Sequence, residues 1–217
     1  FNEQVLVPQL PLVRTILLYT SLFEEFDADL CRSVLGGLFP EPLDWPSLVN
    51  VILANNLFVL PVGSEGRWIR YHHLFRDFLR ARLQEERPEQ IRTIQTGLVN
   101  AYEGRGEWER AYHTCRQFND PDLLAGMIER AGPTMLRRAV VTLNDWLTAL
   151  PPALANSRPG LLSLRGGIGY LRGNYREALS LLNQAEAIYR GRGDAAGLAL
   201  ALVRRAMAHF NLGEYTA

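Results

Sequence analysis

Between Leu12 and Leu22 the apolar residues Leu12, Val13, Ile16, Leu17 and Tyr19 recur at the spacing of one helical face, and Pro11 suits the first turn of that helix. A second short helix is predicted from Ala28 to about Leu35, closed by Gly36-Gly37. Phe39-Pro40-Glu41-Pro42 reads as a loop. Asp44 then caps a third helix that starts at Trp45-Pro46 and carries Leu48, Val49, Ile52 and Leu53. From Leu57 the period changes from helical to alternating. Leu57-Phe58-Val59-Leu60 is β-prone, Gly63-Ser64-Glu65-Gly66 has turn chemistry, and Arg67-Trp68-Ile69-Arg70-Tyr71 alternates, so one β-hairpin is predicted. Leu74, Phe75, Phe78, Leu79 and Leu83 return to helical spacing, giving an amphipathic helix to about Glu86. Helices followed by a two-stranded wing outline a winged-helix domain over residues 1–86.

Pro88 opens a further helix with Ile91, Ile94, Leu98, Ala101 and Tyr102 on one face, ending at Gly104-Arg105-Gly106. The domain boundary is expected between Glu86 and Glu89, where charge and proline cluster. Beyond it the chain repeats itself. Gly106-Glu107-Trp108, Gly173-Asn174-Tyr175 and Gly213-Glu214-Tyr215 share a glycine-x-aromatic signature, and the first two continue to an alanine at Ala111 and Ala178. Gly166, seven residues before one such turn, and Ala178 and Ala185 after it are small where two helices must approach closely, with Leu182 filling the large position between them. The step from Gly173 to Gly213 exceeds the usual tetratricopeptide period of roughly 34 residues. The excess falls in the connection Arg190-Gly191-Arg192-Gly193-Asp194, and Pro151-Pro152 and Arg158-Pro159 mark degenerate earlier units. The expected fold is mainly α. A small winged-helix domain with one β-hairpin is followed, over residues 87–217, by a TPR-like superhelix of helical hairpins truncated at its C-terminal end.

Composition narrows the function. The chain has 217 residues, 47% hydrophobic and 21% charged, enough apolar content for a buried core. Its 23 basic residues balance 23 acidic ones, so the net charge needed for non-specific nucleic-acid or anionic-membrane binding is missing. Every basic residue is arginine, which excludes a Schiff-base lysine and the lysine of a P-loop within this chain. Two cysteines, Cys31 and Cys115, are too few for a disulfide framework and fit a reducing cytoplasm. Apolar runs such as Ile16–Tyr19 and Val59–Val62 are far shorter than a membrane span. A start at Phe1 without a signal sequence, and a stop in the middle of a repeat, suggest a piece of a longer protein.

Candidate chemistry is sparse. Adjacent helical residues point about 100° apart, so His72 and His73 are not expected to face one ligand. His113 and Cys115 lack the i, i+4 spacing of two metal ligands on one helix face, and no metal site is expected. No nucleophile elbow is present, and Gly166-Gly167-Ile168-Gly169 falls in a repeat helix where glycine serves packing, so no catalytic residue is assigned and the chain itself is not expected to be an enzyme. The third helix, Asp44 to Asn55, carries no arginine and has Asp44 at its start, which argues against DNA contact by this domain. The repeat half reads as a binding groove lined by Arg165, Tyr170, Arg172, Arg204, Arg205 and His209, of which Arg172, Arg204 and His209 are taken as its ligand-facing residues.

The string Arg67-Trp68-Ile69-Arg70-Tyr71-His72-His73-Leu74-Phe75 resembles a segment of the MalT-like, LuxR-family ATP-dependent transcriptional regulators of the STAND class. Leu18-Tyr19-Thr20-Ser21, Asp29-Leu30-Cys31, Asn55-Asn56-Leu57-Phe58, Asn144-Asp145-Trp146-Leu147 and Arg158-Pro159-Gly160-Leu161 agree in order with the same family. The resemblance implies an ATPase domain before residue 1, a sensor in the repeat half that binds an inducer or regulatory protein, and DNA contact only through a later helix-turn-helix domain. It implies ATP or ADP in the complete protein, with no cofactor in this segment, and it is compatible with self-association. His72 matches the histidine that contacts a nucleotide phosphate in the resting state; Tyr71 and His73 stand where related proteins have methionine and aspartate. The residues alone leave two readings of His72 open, phosphate contact or packing under the wing with Trp68 and Tyr71. Arg67, Arg70 and Arg76 are alternative phosphate contacts. A TPR-like scaffold of another signalling ATPase is the second functional reading.

Overall fold

The structure is a computed structural model that describes residues 6, 9–55, 57–62 and 68–213. The chain divides into two units, one ending at Glu107 and one starting at Trp108. In the first, α1 (Pro11–Thr20) starts with proline at its first position and buries Val13, Ile16, Leu17 and Tyr19. The helix α2 (Ala28–Leu35) is capped by Asp27, whose carboxylate accepts the Leu30 N–H at 2.7 Å. Gly36-Gly37 does not close it with a left-handed turn as expected. Gly36 stays helical (φ −55°, ψ −37°) and the backbone runs on into a 3-10 turn over Gly36–Leu38. In α3 (Trp45–Ala54) Asp44 is the cap, accepting from Ser47 N at 3.3 Å and Ser47 Oγ at 2.6 Å.

The hairpin pairs β1 (Val59–Val62) with β2 (Trp68–Tyr71) antiparallel, Val59 opposite Tyr71 and Val62 opposite Trp68. Its turn and Arg67 lie outside the described residues. A contact that the apolar pattern did not announce extends it: Phe26 and Ile69 exchange two backbone hydrogen bonds of 2.9 Å, an isolated bridge on the other edge of β2. Ile69 and Tyr71 are thereby held inward. Tyr71 meets the rings of Phe26 and Phe75, and Phe26, Ile69, Phe75 and Leu79 are all without solvent exposure; each large apolar side chain buried this way contributes about 1.5–3 kcal/mol. After β2 come α4 (His73–Glu86) and α5 (Pro88–Gly104).

The helix α5 was expected to open the repeat half. It packs instead on α2 and α4, with Gly97 facing Val34 and Ile94, Leu98 and Val99 buried, so the first unit extends past Glu86 to Glu107. The charge and proline at Glu86–Glu89 mark a helix–helix turn within it.

The second unit contains α6 (Trp108–Phe118), α7 (Pro121–Arg138), α8 (Val140–Thr148), α9 (Pro152–Ser157), α10 (Pro159–Leu171), α11 (Tyr175–Arg192) and α12 (Ala195–Leu212). The helices α10, α11 and α12 pack as consecutive hairpins. Gly173 turns with φ +79°, and the N–H groups of Gly173 and Asn174 bond to Tyr170 and Gly169 carbonyls at 3.0 and 2.9 Å. Gly106 and Gly213, the other two signature glycines, are also left-handed, at +73° and +75°. A Cβ on Gly166 would lie 2.7 Å from Leu182 Cγ, so the helices approach as closely as the small residue allows. Ala178, Leu182 and Ala185 have no exposed surface. Among the described residues no helix is long and apolar enough to cross a membrane.

Candidate functional site

The residues singled out from the sequence lead to two places: the junction of β2 with α4 in the first unit, and a cavity in the second. At the junction, Tyr71 is the last inward residue. Its hydroxyl and that of Thr20 are 2.6 Å apart, and burial pushes the phenol well above the usual tyrosine range, opposed by that hydrogen bond. Strand alternation then sends His72 to solvent, on the side of Arg70. His72 is exposed and does not pack under the wing with Trp68 and Tyr71.

His72 is the N-cap of α4, with an extended backbone (φ −58°, ψ 136°) and no side-chain cap bond. The roughly 100° rule for neighbouring helical residues therefore does not govern His72 and His73. Their rings lie side by side, centroids 4.3 Å apart and tilted by 32°, which corrects the expectation that they diverge. Around them the His72 carbonyl accepts the Phe75 and Arg76 N–H groups at 3.0 Å each, while the N–H groups of His73 and Leu74 precede the first helical bonds, the ordinary condition of a helix start. Together an exposed imidazole and a helix N-terminus offer hydrogen-bond donors and a partial positive charge to an anion.

The backbone under His72 is tied down by a strained residue. Phe58 adopts φ +52°, a conformation that costs an L-residue about 1–2 kcal/mol. Its carbonyl accepts the His72 N–H at 2.7 Å, while its ring packs 5.3 Å from that of Phe75. The sequence carries no signal for this, because nothing in Asn55-Asn56-Leu57-Phe58 requires the left-handed residue to be phenylalanine.

The alternative phosphate contacts separate. Arg70 is exposed on β2 opposite Leu60. Arg76 sits in the first turn of α4, half-buried, with its Nε shielded from solvent and without a hydrogen-bond partner among the described residues. Arg67 lies outside the described residues. On α3 the buried face is Trp45, Val49 and Ile52.

In the second unit a cavity of about 300 Å³ opens between α7, the start of α10, the end of α11 and α12. Arg204 is in its wall, donating to Ser163 Oγ at 2.6 Å, and burial lowers its pKa from the usual arginine value. Arg158 spans to Glu129 at 2.7 Å across the same space. The other two residues expected in the groove are elsewhere: Arg172 is exposed at the C-cap of α10, and His209 is half-buried in the last turn of α12. Of the wider set, Tyr170 accepts from Asn211 at 3.0 Å, and Arg205 is bound to the buried carboxylate of Glu186. The sequence missed Arg158, Glu129 and Tyr189 as cavity residues, since Arg158 reads as loop and the other two lie on helices that only packing brings together.

Comparison with known proteins agrees with this architecture. The MalT winged helix domain family matches residues 2–91. The HTH-type transcriptional regulator MalT of Vibrio parahaemolyticus is 25% identical over 180 residues, 82% of this chain and 19% of the relative. That of Vibrio campbellii is 24% identical over the same shares. MalT of Klebsiella pneumoniae (strain 342) is 28% identical over 131 residues, 60% of this chain and 14% of the relative. The chain thus spans about a fifth of the length of the first of these relatives. The hairpin, the helices that flank it and the match across them agree: residues 2–91 match the MalT winged helix domain, and the chain is similar over most of its length to one segment of MalT regulators.

Proposed function

We propose that this chain is the resting-state and signal-receiving segment of a LuxR-family, STAND-class ATP-dependent transcriptional regulator of the cytoplasm. In this reading the winged helix domain covers ADP held by a separate ATPase domain, and the TPR-like helical unit takes an inducer or a regulatory protein. DNA is bound by a further helix-turn-helix domain, and the chain catalyses nothing by itself.

The observation that carries the reading is the exposed imidazole of His72 at the N-cap of α4. A nucleotide phosphate fits there on chemical grounds: the N–H groups of His73 and Leu74 are donors, the helix dipole favours negative charge, and the imidazole adds a hydrogen bond to a phosphate oxygen. Arg70, on the same side of β2, supplies a second cation to the polyphosphate; Arg67 and Arg76 are the remaining candidates. Inducer binding releases the resting state only if the ligand prefers the open arrangement, a population shift.

The test uses the complete regulator. His72→Ala is expected to lower the ADP retained through purification and to raise basal transcription of a target promoter. Unchanged nucleotide occupancy together with unchanged basal transcription refutes the role of His72.

A further inference from the structure

The cavity of the second unit has an unbalanced charge. Three guanidinium groups, Arg158, Arg192 and Arg204, line it with two carboxylates, Glu129 and Asp194. Both carboxylates are engaged: Glu129 pairs with Arg158 at 2.7 Å, and Asp194 caps α12 by accepting the Gly197 N–H at 2.9 Å. Arg204 has no carboxylate within 4 Å among the described residues. Its one hydrogen bond among the described residues goes to the neutral Ser163 hydroxyl, although its Nε lies against Gly167 and the side chain is half-buried. A cation taken out of water without a counter-charge is costly, and proteins ordinarily pair it.

The surroundings are set to keep this space open. Gly160 faces Glu129 so closely that a Cβ there would lie 2.5 Å from the carboxylate, and Gly197 meets the Tyr189 ring at 2.2 Å in the same sense. Glycine at these two positions lets Glu129 and Tyr189 stand in the wall. The volume of about 300 Å³ lies at the lower end of the range of small-molecule sites.

We propose that this cavity binds a small molecule through an oxyanion group, a carboxylate or a phosphate, seated on the Arg204 guanidinium beside the Ser163 hydroxyl. The ligand supplies the counter-charge that the protein withholds. Arg192, exposed on the cavity wall, attracts it without fixing it, and Tyr189 supplies an aromatic part of the same wall. The proposal rests on the reading of the helical unit as a ligand-binding groove and names the chemistry of its ligand; it does not depend on nucleotide.

The test is calorimetric titration of the 217-residue chain with inorganic phosphate, with succinate, and with glucose as a neutral probe. Saturable binding of phosphate or succinate but not glucose is expected, and the two anion arms distinguish a phosphoryl ligand from a carboxylate one. Arg204→Met keeps the aliphatic stem and is expected to weaken binding about ten- to hundredfold, as removal of a hydrogen-bonded charge does. Ser163→Ala weakens it less, and Arg138→Met, outside the cavity, leaves it unchanged. Absence of saturable anion binding, or equal binding by a folded Arg204→Met chain, overturns the proposal. Anion binding that leaves ADP retention in the complete regulator unaltered keeps the site and removes the sensor role, so the two readings fail separately.

Discussion

The hydroxyl pair Thr20–Tyr71 makes a prediction whose order follows from counting hydrogens. Thr20 Oγ1 has one hydrogen and spends it on the Ile16 carbonyl at 2.7 Å, so at the 2.6 Å contact Tyr71 must be the donor. Tyr71→Phe removes that donor and leaves Thr20 short of one incoming bond while its own donor stays satisfied. The expected loss is about 1 kcal/mol, the net worth of an ordinary hydrogen bond. Thr20→Val instead strands the Tyr71 O–H in a site of 4% exposure, and an orphaned buried donor costs about 1–3 kcal/mol. The double variant has apolar groups of similar shape on both sides and is expected to be less destabilised than the sum of the singles. Urea unfolding of the four chains at pH 7, with equal m-values, measures the cycle. A coupling energy within error of zero, or Tyr71→Phe costing more than Thr20→Val, refutes the assigned donor. The phenol of the pair also titrates. The Tyr71 phenol is raised in the folded state, so its contribution is intact below the unfolded value of about 10 and declines as pH rises beyond it. Wild type should therefore lose stability above about pH 10 more steeply than Tyr71→Phe.

Two further outcomes concern other parts of the chain. Gly166→Ala places a methyl 2.7 Å from Leu182 Cγ and should cost about 1–3 kcal/mol, partly relieved on a Leu182→Ala background; Gly173→Ala meets nothing within 4 Å, so its cost of about 1 kcal/mol reflects φ +79° alone and shows no such relief in the same denaturation series. Burial, and secondarily the Asp27 charge, holds the Cys31 thiol protonated well above the ordinary thiol value, so it should resist a thiol-modifying disulfide reagent at pH 8 until denaturant is added, and rapid labelling of the native chain would contradict its placement.

The sequence made legible those elements whose signal is local. Capping by Asp44, proline at the first position of α1 and α5, and the alternation of Trp68 to Tyr71 all act within a few residues, and each lies where its pattern placed it. The three signature glycines are left-handed for the same reason: a tight helix-ending turn needs positive φ wherever it occurs. What escaped depends on partners far along the chain. The face of α5 is apolar whichever unit it joins, and only its packing on α2, with Gly97 against Val34, decides that it completes the first. The bridge from Phe26 to Ile69 joins residues 43 positions apart through backbone groups that carry no side-chain signature. Among the arginines of the helical unit, Arg204 and Arg172 look alike in sequence; one faces Ser163 and the other ends a helix in solvent.

The histidine pair shows why a correct rule gave the wrong expectation. Neighbours diverge by about 100° when both have helical dihedrals, yet an N-cap residue keeps the direction of the strand that leads into it. Tyr71 must point inward, because it fills the space beside Phe26 and Phe75, with ring centroids 5.2 and 5.8 Å away. Extended backbone then forces His72 outward, and the Phe58 carbonyl fixes its N–H. The direction of the exposed imidazole is thus a consequence of the buried phenol one residue earlier. Loss of the Tyr71 hydroxyl should leave it in place, since the ring that fills the core is retained in Tyr71→Phe. Tyr71→Ala empties that space, lets β2 turn, and should release nucleotide from the complete regulator as His72→Ala does, whereas Tyr71→Phe should not.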